Sequence, residues 1–234
     1  MVGNQLVPNE KLVRNRFYWY LSIIVTAVTG LGVAITLNIL SATLFSSPNL
    51  IQTTYTTIVQ TQNSHQVKVV LQNLQLPWQN PVTSTTGFGN FAISPAAQAF
   101  AAGLWSGQQT LLGNDNPTLP PSLSPPLKEL SWSQTGWQRD FELGQWILLL
   151  WTVTQVSPPL SKTFWEQQPL ILLHFQAEFS TSNQSSPLET QRVTSALEFI
   201  KPLIKATPVP AQHEPHLYKQ LGRELAFIID NLSP

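Results

Sequence analysis

The sequence predicts a mainly α-helical protein, in which one N-terminal transmembrane helix precedes an extramembrane helical domain of about five helices. An uncharged, apolar run over 17–45 predicts the membrane helix. Several later segments begin with helix-capping residues and repeat apolar residues at spacings of three and four, which predicts the other helices. Threonine and valine are concentrated in 50–76, and this composition favours a short β element there.

The run over 17–45 is long enough to cross a bilayer as one helix. A hydrocarbon core of about 30 Å takes about 20 helical residues. Lys11, Arg14 and Arg16 directly precede the run, and basic residues are typical of the cytoplasmic side. We therefore expect a cytoplasmic basic tail over 1–16, a single-pass signal anchor over 17–45, and an extracytoplasmic main domain in the periplasm or a lumen.

A cleaved signal peptide is the alternative interpretation of this N-terminal region. Basic residues followed by an apolar stretch and by the small residues of "LSATLFSS" resemble the parts of such a peptide. Its apolar part is usually about 7 to 15 residues long. The run over 17–45 is longer, which favours an anchor that stays attached.

Small or polar residues recur at every fourth position of the predicted anchor. In lipid, close backbone approach at small residues and hydrogen bonds between polar side chains hold helices together. The stripe therefore predicts packing against another membrane protein or a second copy of this chain. The alternative is that small residues are simply common in membrane helices and that Asn38 lies near the headgroups. The predicted packing residues are Ser22, Thr26, Gly30, Ala34, Asn38 and Ala42.

Residues 46–93 form a predicted stalk or linker whose structure the sequence leaves open. Val67, Val69 and Leu71 alternate with polar residues as in a strand. Apolar residues over 51–58 instead recur at helical spacing. We expect a short strand or hairpin here, with a helical stalk as the alternative.

The helical domain is predicted to occupy 94–234. Ser94 can cap a helix, Pro95 suits its first position, and Gly113 can end it. Five prolines in "NDNPTLPPSLSPP", residues 114–126, predict a semi-rigid connector to the next helix.

Four further segments carry helix signals. The apolar stretch "DFELGQWILLLWTVTQV" predicts a central helix. In the next segment, Pro169 is expected either to kink one helix or to open a second. Ser186 and Glu189 form a capping box, and Pro202 should bend or end the helix that follows. Pro215 opens an amphipathic C-terminal helix.

Composition excludes several functions. Charged residues make up 10% of the chain, and 12 Lys and Arg balance 12 Asp and Glu, so no basic field favours a nucleic-acid partner. The chain has 0 cysteines, which removes disulfides, thiolate catalysis and cysteine-ligated metals. The low charge with many Gln, Asn and Pro residues suggests a bacterial source.

Candidate chemistry is sparse. His213 and His216 have a spacing that can share a metal on a helix, but Pro215 lies between them and no third ligand is near. Neither a glycine-rich phosphate loop nor a GxSxG or HExxH motif occurs. We therefore predict no catalytic residues, no cofactor and no metal site.

Tryptophans stand out more than any polar group. Trp146 and Trp151 lie in the predicted central helix and are expected in the core. Trp132 and Trp137 lie in a segment with loop composition, and exposed tryptophans are typical anchors of interfaces. They are the candidate interface residues of the extramembrane domain, with contact to the membrane surface or burial in the core as the alternatives.

Two hypotheses for function follow. The first is a single-pass membrane protein, in contact with the lipid bilayer, that acts through protein–protein contact as an accessory, assembly or scaffold subunit of a membrane complex. It depends on the striped anchor, the tryptophans and the lack of a catalytic motif. The alternative is a membrane-tethered enzyme or ligand-binding domain whose site is formed by distant residues such as Arg139, Glu142 and His174.

Overall fold

The computed structural model divides the chain into two compact units, Met1–Ser46 and Ser47–Pro234. All residues that the structure describes belong to the second unit. The predicted anchor and its six packing residues lie outside them, and the anchor stays a prediction. The described residues are 51–56, 58, 64–76, 94–114, 118–126, 130–156, 162–181, 186–207 and 215–234.

The described part of the second unit is helical and contains no strand. Its helices surround one main hydrophobic core. Two short 3₁₀ turns, Pro121–Leu123 and Trp132–Gln134, lie between the second and third helices. The helices are α1 (Ser64–Asn73), α2 (Pro95–Leu111), α3 (Gln138–Gln155), α4 (Lys162–Thr181), α5 (Pro187–Ala206) and α6 (Pro215–Leu232).

Helix α2 begins and ends as its sequence predicts. The Ser94 hydroxyl accepts a hydrogen bond from the backbone N–H of Ala97 at 3.1 Å, and Pro95 occupies the first turn. Both features satisfy or remove orphan donors at a helix start. Gly113 follows the helix with a φ of +89°, a conformation that glycine adopts without steric cost.

Helix α3 is the central helix, as predicted, and packs against α2 and α6. Leu143, Trp146, Ile147 and Leu150 are each at most 1% exposed. The indole N–H of Trp146 donates to the side-chain oxygen of Gln168 on α4 at 3.0 Å. A buried tryptophan thus finds the acceptor it needs.

Helices α2 and α3 approach each other through two glycines. A Cβ on Gly103 of α2 would lie 1.9 Å from the carbonyl oxygen of Phe141 on α3. A Cβ on Gly144 of α3 would lie 2.1 Å from the carbonyl oxygen of Phe100 on α2. Each glycine therefore leaves room for the other helix's backbone, and this seam has no space for a side chain.

The prediction of a strand or hairpin within 50–76 is wrong. Residues 51–56 are helical, and α1 covers Ser64–Asn73. A strand would place Val67, Val69 and Leu71 on one face, whereas Val67 and Leu71 are buried and Val69 is 42% exposed. The spacing of four between Val67 and Leu71 decides the structure, because it puts both side chains against the core.

The region predicted as a stalk contributes to the main core. Ile51, Tyr55, Val67 and Leu71 are all members of it. The Tyr55 hydroxyl donates to the carbonyl of Gln145 on α3 at 2.8 Å. These contacts join 51–71 to the helices that follow, in agreement with one unit from residue 47 onwards.

Neither internal proline ends its helix. Pro169 lies inside α4 and Pro202 inside α5, and both helices continue beyond them. A proline removes one backbone hydrogen bond and crowds the preceding turn. Burial of Ile171, Leu172 and Phe175 after Pro169 favours continuation of α4, since these side chains enter the core only on a helical path.

The predicted connector over 114–126 packs partly onto α2. Leu123 is 1% exposed, and the amide of Gln98 donates to the carbonyl of Ser122 at 2.6 Å. Leu123 belongs to a small second core. Three alanines of α2 and the side chain of Trp132 are its other members. The described part of the connector is thus held against the domain.

Among the described helices, none is both long enough and apolar enough to cross a membrane.

Candidate functional site

A wide groove runs between α5 and α6 on the surface of the domain. These helices are antiparallel. The Tyr218 hydroxyl at the start of α6 donates to the carbonyl of Thr207 just after α5 at 3.3 Å. At the opposite end, Arg192 near the start of α5 and Asn231 near the end of α6 both line the groove. The groove has a volume of about 880 Å³.

The groove walls carry the most exposed large apolar side chains among the described residues. Leu188 and Phe199 on α5 are 59% and 63% exposed, and Phe227 on α6 is 65% exposed. All three line the groove. The small side chain of Ala196 and the buried Ile228 also line it. The groove is therefore rich in exposed apolar side chains, as is typical of interaction surfaces.

The core faces of the two helices explain why the phenylalanines are exposed. On α5 the core takes Val193, Leu197 and Ile200, and on α6 it takes Leu221 and Leu225. These positions follow the three- and four-residue spacing of one helical face. Phenylalanines at 199 and 227 fall beside that face and are not needed to fill the core.

Apolar spacing in the sequence predicts α5 and α6 as helices, but neither Phe199 nor Phe227 is among the predicted interface residues. A signal for them was present. In each helix, one phenylalanine is out of phase with the apolar stripe. A large aromatic residue on the polar side of an amphipathic helix indicates contact outside the domain.

Two opposite charges also line the groove. Arg192 projects from the second turn of α5, and Glu224 projects from the middle of α6. Because the helices are antiparallel and Asn231 lies near Arg192, Glu224 lies farther along the groove, toward Phe199. A basic and an acidic side chain thus line the groove at different levels.

A second feature is a buried polar cluster where α3 begins. Arg139, Asp140 and Glu142 are 8%, 4% and 5% exposed. The Arg139 Nε lies 3.5 Å from Asp140 Oδ2, and its guanidinium carbon lies 4.5 Å from the ring centre of Phe179. The cation–π contact compensates part of the cost of burying the arginine, and Asp140 adds to this when its carboxyl group is ionised.

The cluster shifts two titratable groups. Burial raises the pKa of Asp140 to about 7, against the opposing effect of the Arg139 charge. A hydrogen bond to Glu178, 3.3 Å away, raises the pKa of His174 above its usual value, although partial burial opposes the shift. Loss of solvent penalises a carboxylate, whereas a carboxylate partner favours an imidazolium.

The structure brings together the three distant residues of the enzyme hypothesis. Arg139 donates to the backbone carbonyl of Glu178 at 3.5 Å, while the Glu178 side chain pairs with His174. The charge of Glu142 also acts on His174. Neither the groove nor the smaller cavity described next is lined by Arg139, Glu142 or His174.

The smaller cavity, of about 90 Å³, lies between the starts of α2 and α5 and the end of α6. Asp140, Glu189 and Arg192 contribute its charged groups. A hydrogen bond from Ser94, the cap of α2, lowers the pKa of Glu189, although burial opposes the shift and Ser186 adds further hydrogen bonds. Glu189 thus joins the caps of α2 and α5, which indicates a structural role.

The two candidate interface tryptophans lie together, in different environments. Trp132 is 1% exposed, and its indole N–H donates to the carbonyl of Leu123 at 2.8 Å. Trp137 meets it edge to face, with ring centres 6.4 Å apart, and is only partly buried. The structure therefore places Trp132 inside the chain, so that of the pair only Trp137 offers surface to a partner.

Histidine and acidic side chains are the candidate metal ligands in the part of the chain that the structure describes. No three His, Cys, Asp or Glu side chains there are grouped so that they could hold an ion. His216 is exposed at the start of α6, whereas His213 lies outside the described residues.

Comparison of the chain with protein-family models, with curated proteins and with solved structures finds no match.

Proposed function

We propose that the chain is a single-pass membrane protein whose extracytoplasmic helical domain acts through protein–protein contact, as an accessory, assembly or scaffold subunit of a membrane complex. The groove between α5 and α6 is the contact surface. The observation that carries the proposal is the pair Phe199 and Phe227, both more than 60% exposed on facing walls of one groove.

The binding free energy of such a contact would come from burial of the exposed apolar side chains. Fully burying a phenylalanine or leucine contributes about 1.5 to 3 kcal/mol relative to leaving it exposed. Leu188, Phe199 and Phe227 already retain more than half of their surface in water. A partner that covers all three therefore gains several kcal/mol, before the entropy cost of association.

The predicted anchor supports the same function. Residues 17–45 carry no charge and include the stripe from Ser22 to Ala42, which suits packing against another membrane helix. Two contacts on one chain, one in the membrane and one in the extracytoplasmic domain, strengthen each other. Once the first contact forms, the effective concentration for the second is high.

The test is the native mass of the tagged full-length protein after mild detergent extraction from its own membranes. The double variant Phe199→Ser, Phe227→Ser should lose the large species. Leu173→Ser is the matched control, because Leu173 is 53% exposed on α4, away from the groove. A large species that survives the double variant, or that never forms with the unaltered protein, would contradict the proposal.

Two further variants test the predicted anchor contact in the same experiment. Gly30→Leu places a large side chain in the stripe, and Asn38→Leu removes its most polar group. Each should reduce the large species if the stripe holds a partner helix. If only the phenylalanine variants act, the contact lies in the extracytoplasmic domain alone.

The alternative, an enzyme or ligand-binding domain, would use Arg139, Glu142 and His174. Their proximity supports a polar site, because Glu178 contacts two of them. A ligand also needs an opening that reaches the group, and the two cavities described above do not include these side chains. The contact function is therefore the one we favour.

A further inference from the structure

We infer that the side of the domain formed by α2 and the two 3₁₀ turns contacts the lipid headgroups of the membrane that holds the predicted anchor. We call this side the uncharged face, and it comprises α2 with residues 118–126 and 130–138. The inference goes beyond the contact function proposed above. It rests on the predicted anchor alone, because the groove is formed by other helices, α5 and α6.

The described residues of the uncharged face include no charged side chain. Helix α2 has none, whereas α4, α5 and α6 carry three, five and four Asp, Glu, Lys or Arg residues. Residues 118–126 and 130–138 have none either. Asp115, Lys128 and Glu129 belong to the intervening sequence and lie outside the described residues. Because charged groups are costly at the boundary of the hydrocarbon, an uncharged side of the domain approaches a bilayer at the lowest cost.

Tryptophan and leucine side chains supply the apolar part of this face. Trp105 and Trp137 are partly exposed where they pack on the second core, and so is Leu119. Leu130 is 36% exposed. An indole combines a large apolar body with one N–H donor, and this combination places tryptophan at membrane–water interfaces.

The predicted anchor is joined to the domain by a short piece of chain. The anchor ends at residue 45, and Ile51, six positions later, is buried in the main core. Six residues of fully extended chain span at most about 22 Å. Covalent geometry alone thus keeps Ile51 near the end of the anchor, and the surface around Ile51 is the part of the domain that meets the membrane most readily.

Tyr55, one helical turn after Ile51, connects this entry point to the uncharged face. Its hydroxyl donates to the carbonyl of Gln145 on α3 at 2.8 Å. The side-chain amide of Gln145 donates to the hydroxyl of Ser106 at 3.4 Å, and Ser106 follows Trp105 directly on α2. Along α3, Trp137 precedes Gln145 by about 12 Å. Both tryptophans therefore lie near the point where the chain enters the domain.

The composition of the exposed surface favours lipid over a second protein partner. Between Leu130 and Trp137 the exposed side chains include Ser131, Ser133 and Gln134. Serine is depleted in the cores of protein interfaces. A headgroup region, in contrast, hydrogen-bonds hydroxyl and amide groups in any arrangement and accepts indole rings beside them. The uncharged face thus differs from the groove, whose exposed side chains are large and apolar.

Fluorescence quenching in lipid vesicles gives a direct test, because the chain contains 0 cysteines that would compete for a label. Ser133→Cys places a thiol on the uncharged face, and Ser195→Cys places the matched control on α5; both serines are exposed. Each full-length variant is labelled with a fluorophore and reconstituted in phosphatidylcholine vesicles that contain a lipid with a spin-labelled headgroup. The label at position 133 should lose fluorescence, and the label at position 195 should keep it.

Two further changes test which forces hold the face on the lipid. Trp137→Ser, added to Ser133→Cys, should reduce the quenching because it removes an indole from the interface, whereas Trp137→Phe should retain part of it. Circular dichroism checks that both variants fold. Added salt or anionic lipid should leave the quenching unchanged, because an uncharged face gains nothing from either.

The outcomes separate this inference from the proposed function. Equal fluorescence loss at positions 133 and 195, or none at 133, would overturn the lipid contact. If the phenylalanine variants still removed the large native species, the contact function would stand without it. A label site at 133 that is blocked in native membranes but not quenched in lipid vesicles would assign the face to a protein and also overturn the inference. A full-length protein that failed to float with vesicles would overturn both this inference and the membrane part of the proposed function.

Discussion

Two helix pairs in this domain carry small residues at their contact and use them in opposite ways. At the α2–α3 seam, Gly103 and Gly144 admit the backbone of the facing helix, and no side chain fits between. In the α5–α6 groove, Ala196 lies among large side chains that point outward, and space is left open. The first pair stabilises the fold, whereas the second offers apolar surface.

The difference teaches how to separate structural from functional small residues. A small residue whose absent Cβ would meet backbone is required by the fold, because backbone cannot move aside cheaply. A small residue between exposed aromatic side chains shapes a surface. Substitutions at the seam should therefore change the free energy of unfolding, whereas substitutions in the groove should change the native mass.

The largest effect is expected at the seam. Gly103→Ala would place a Cβ 1.9 Å from the Phe141 carbonyl oxygen, so the helices must separate. We expect a loss of about 3 kcal/mol or more in the free energy of unfolding. Urea titration of the full-length protein in detergent, followed by tryptophan fluorescence, measures it.

Gly113→Ala is the control for this substitution. Gly113 has a positive φ but nothing within 4 Å of an added Cβ, so only the backbone preference is lost, at about 1 kcal/mol. Equal losses at Gly103 and Gly113 would show that the seam is not as tightly packed as the structure has it.

A pH effect follows from the buried cluster beside the seam. The pKa of Asp140 is raised to about 7 by burial, so the folded state binds a proton that the unfolded state has released. Stability is then lost as pH rises from the unfolded pKa toward 7. Between pH 5 and pH 7 the loss should be about 2 kcal/mol.

Asp140→Asn tests the assignment, because an amide does not titrate. Its free energy of unfolding should change much less between pH 5 and pH 7. The raised pKa of His174 gives a loss of the same sign, but at higher pH, as pH rises through the folded-state value. A wild-type profile that rises from pH 5 to pH 7 would contradict the burial of an uncharged Asp140.

A smaller effect is expected where the two regions meet. Glu189 accepts hydrogen bonds from the Ser186 backbone at 3.1 Å and from Ser94, and so joins the caps of α5 and α2. Glu189→Ala should cost about 1 kcal/mol of unfolding free energy. Glu189→Gln keeps an acceptor and should recover part of it. If Glu189→Ala left the free energy of unfolding unchanged, the two caps would be independent.

Local signals in the sequence predicted much of the helical fold. Ser94 and Pro95, and the capping box of Ser186 and Glu189, are confirmed as helix starts. These signals are reliable because they act within one turn of chain. The strand prediction was wrong at Val69, because alternation of apolar residues cannot tell which of them the rest of the chain covers.

The site was beyond such local reasoning. Trp132 was a candidate interface residue until the fold placed Leu123 and three alanines around it. The phase of Phe199 against the apolar stripe predicts its exposure, but only the position of α6 shows that it lines a groove. Pro169 was expected to kink one helix or open a second, and Pro202 to bend or end its helix; both helices continue past their prolines, so neither proline separates two helices.

The smallest effect on stability is expected in the groove. Phe227 is 65% exposed, so Phe227→Ser removes little buried surface and should change the free energy of unfolding by less than about 0.5 kcal/mol. The same substitution should remove the large native species. Ile228→Ser, at a neighbouring residue that is 4% exposed, should instead destabilise the domain by about 3 kcal/mol. If Phe227→Ser proved as destabilising as Ile228→Ser, the phenylalanine would belong to the core, and the contrast between seam and groove would be lost.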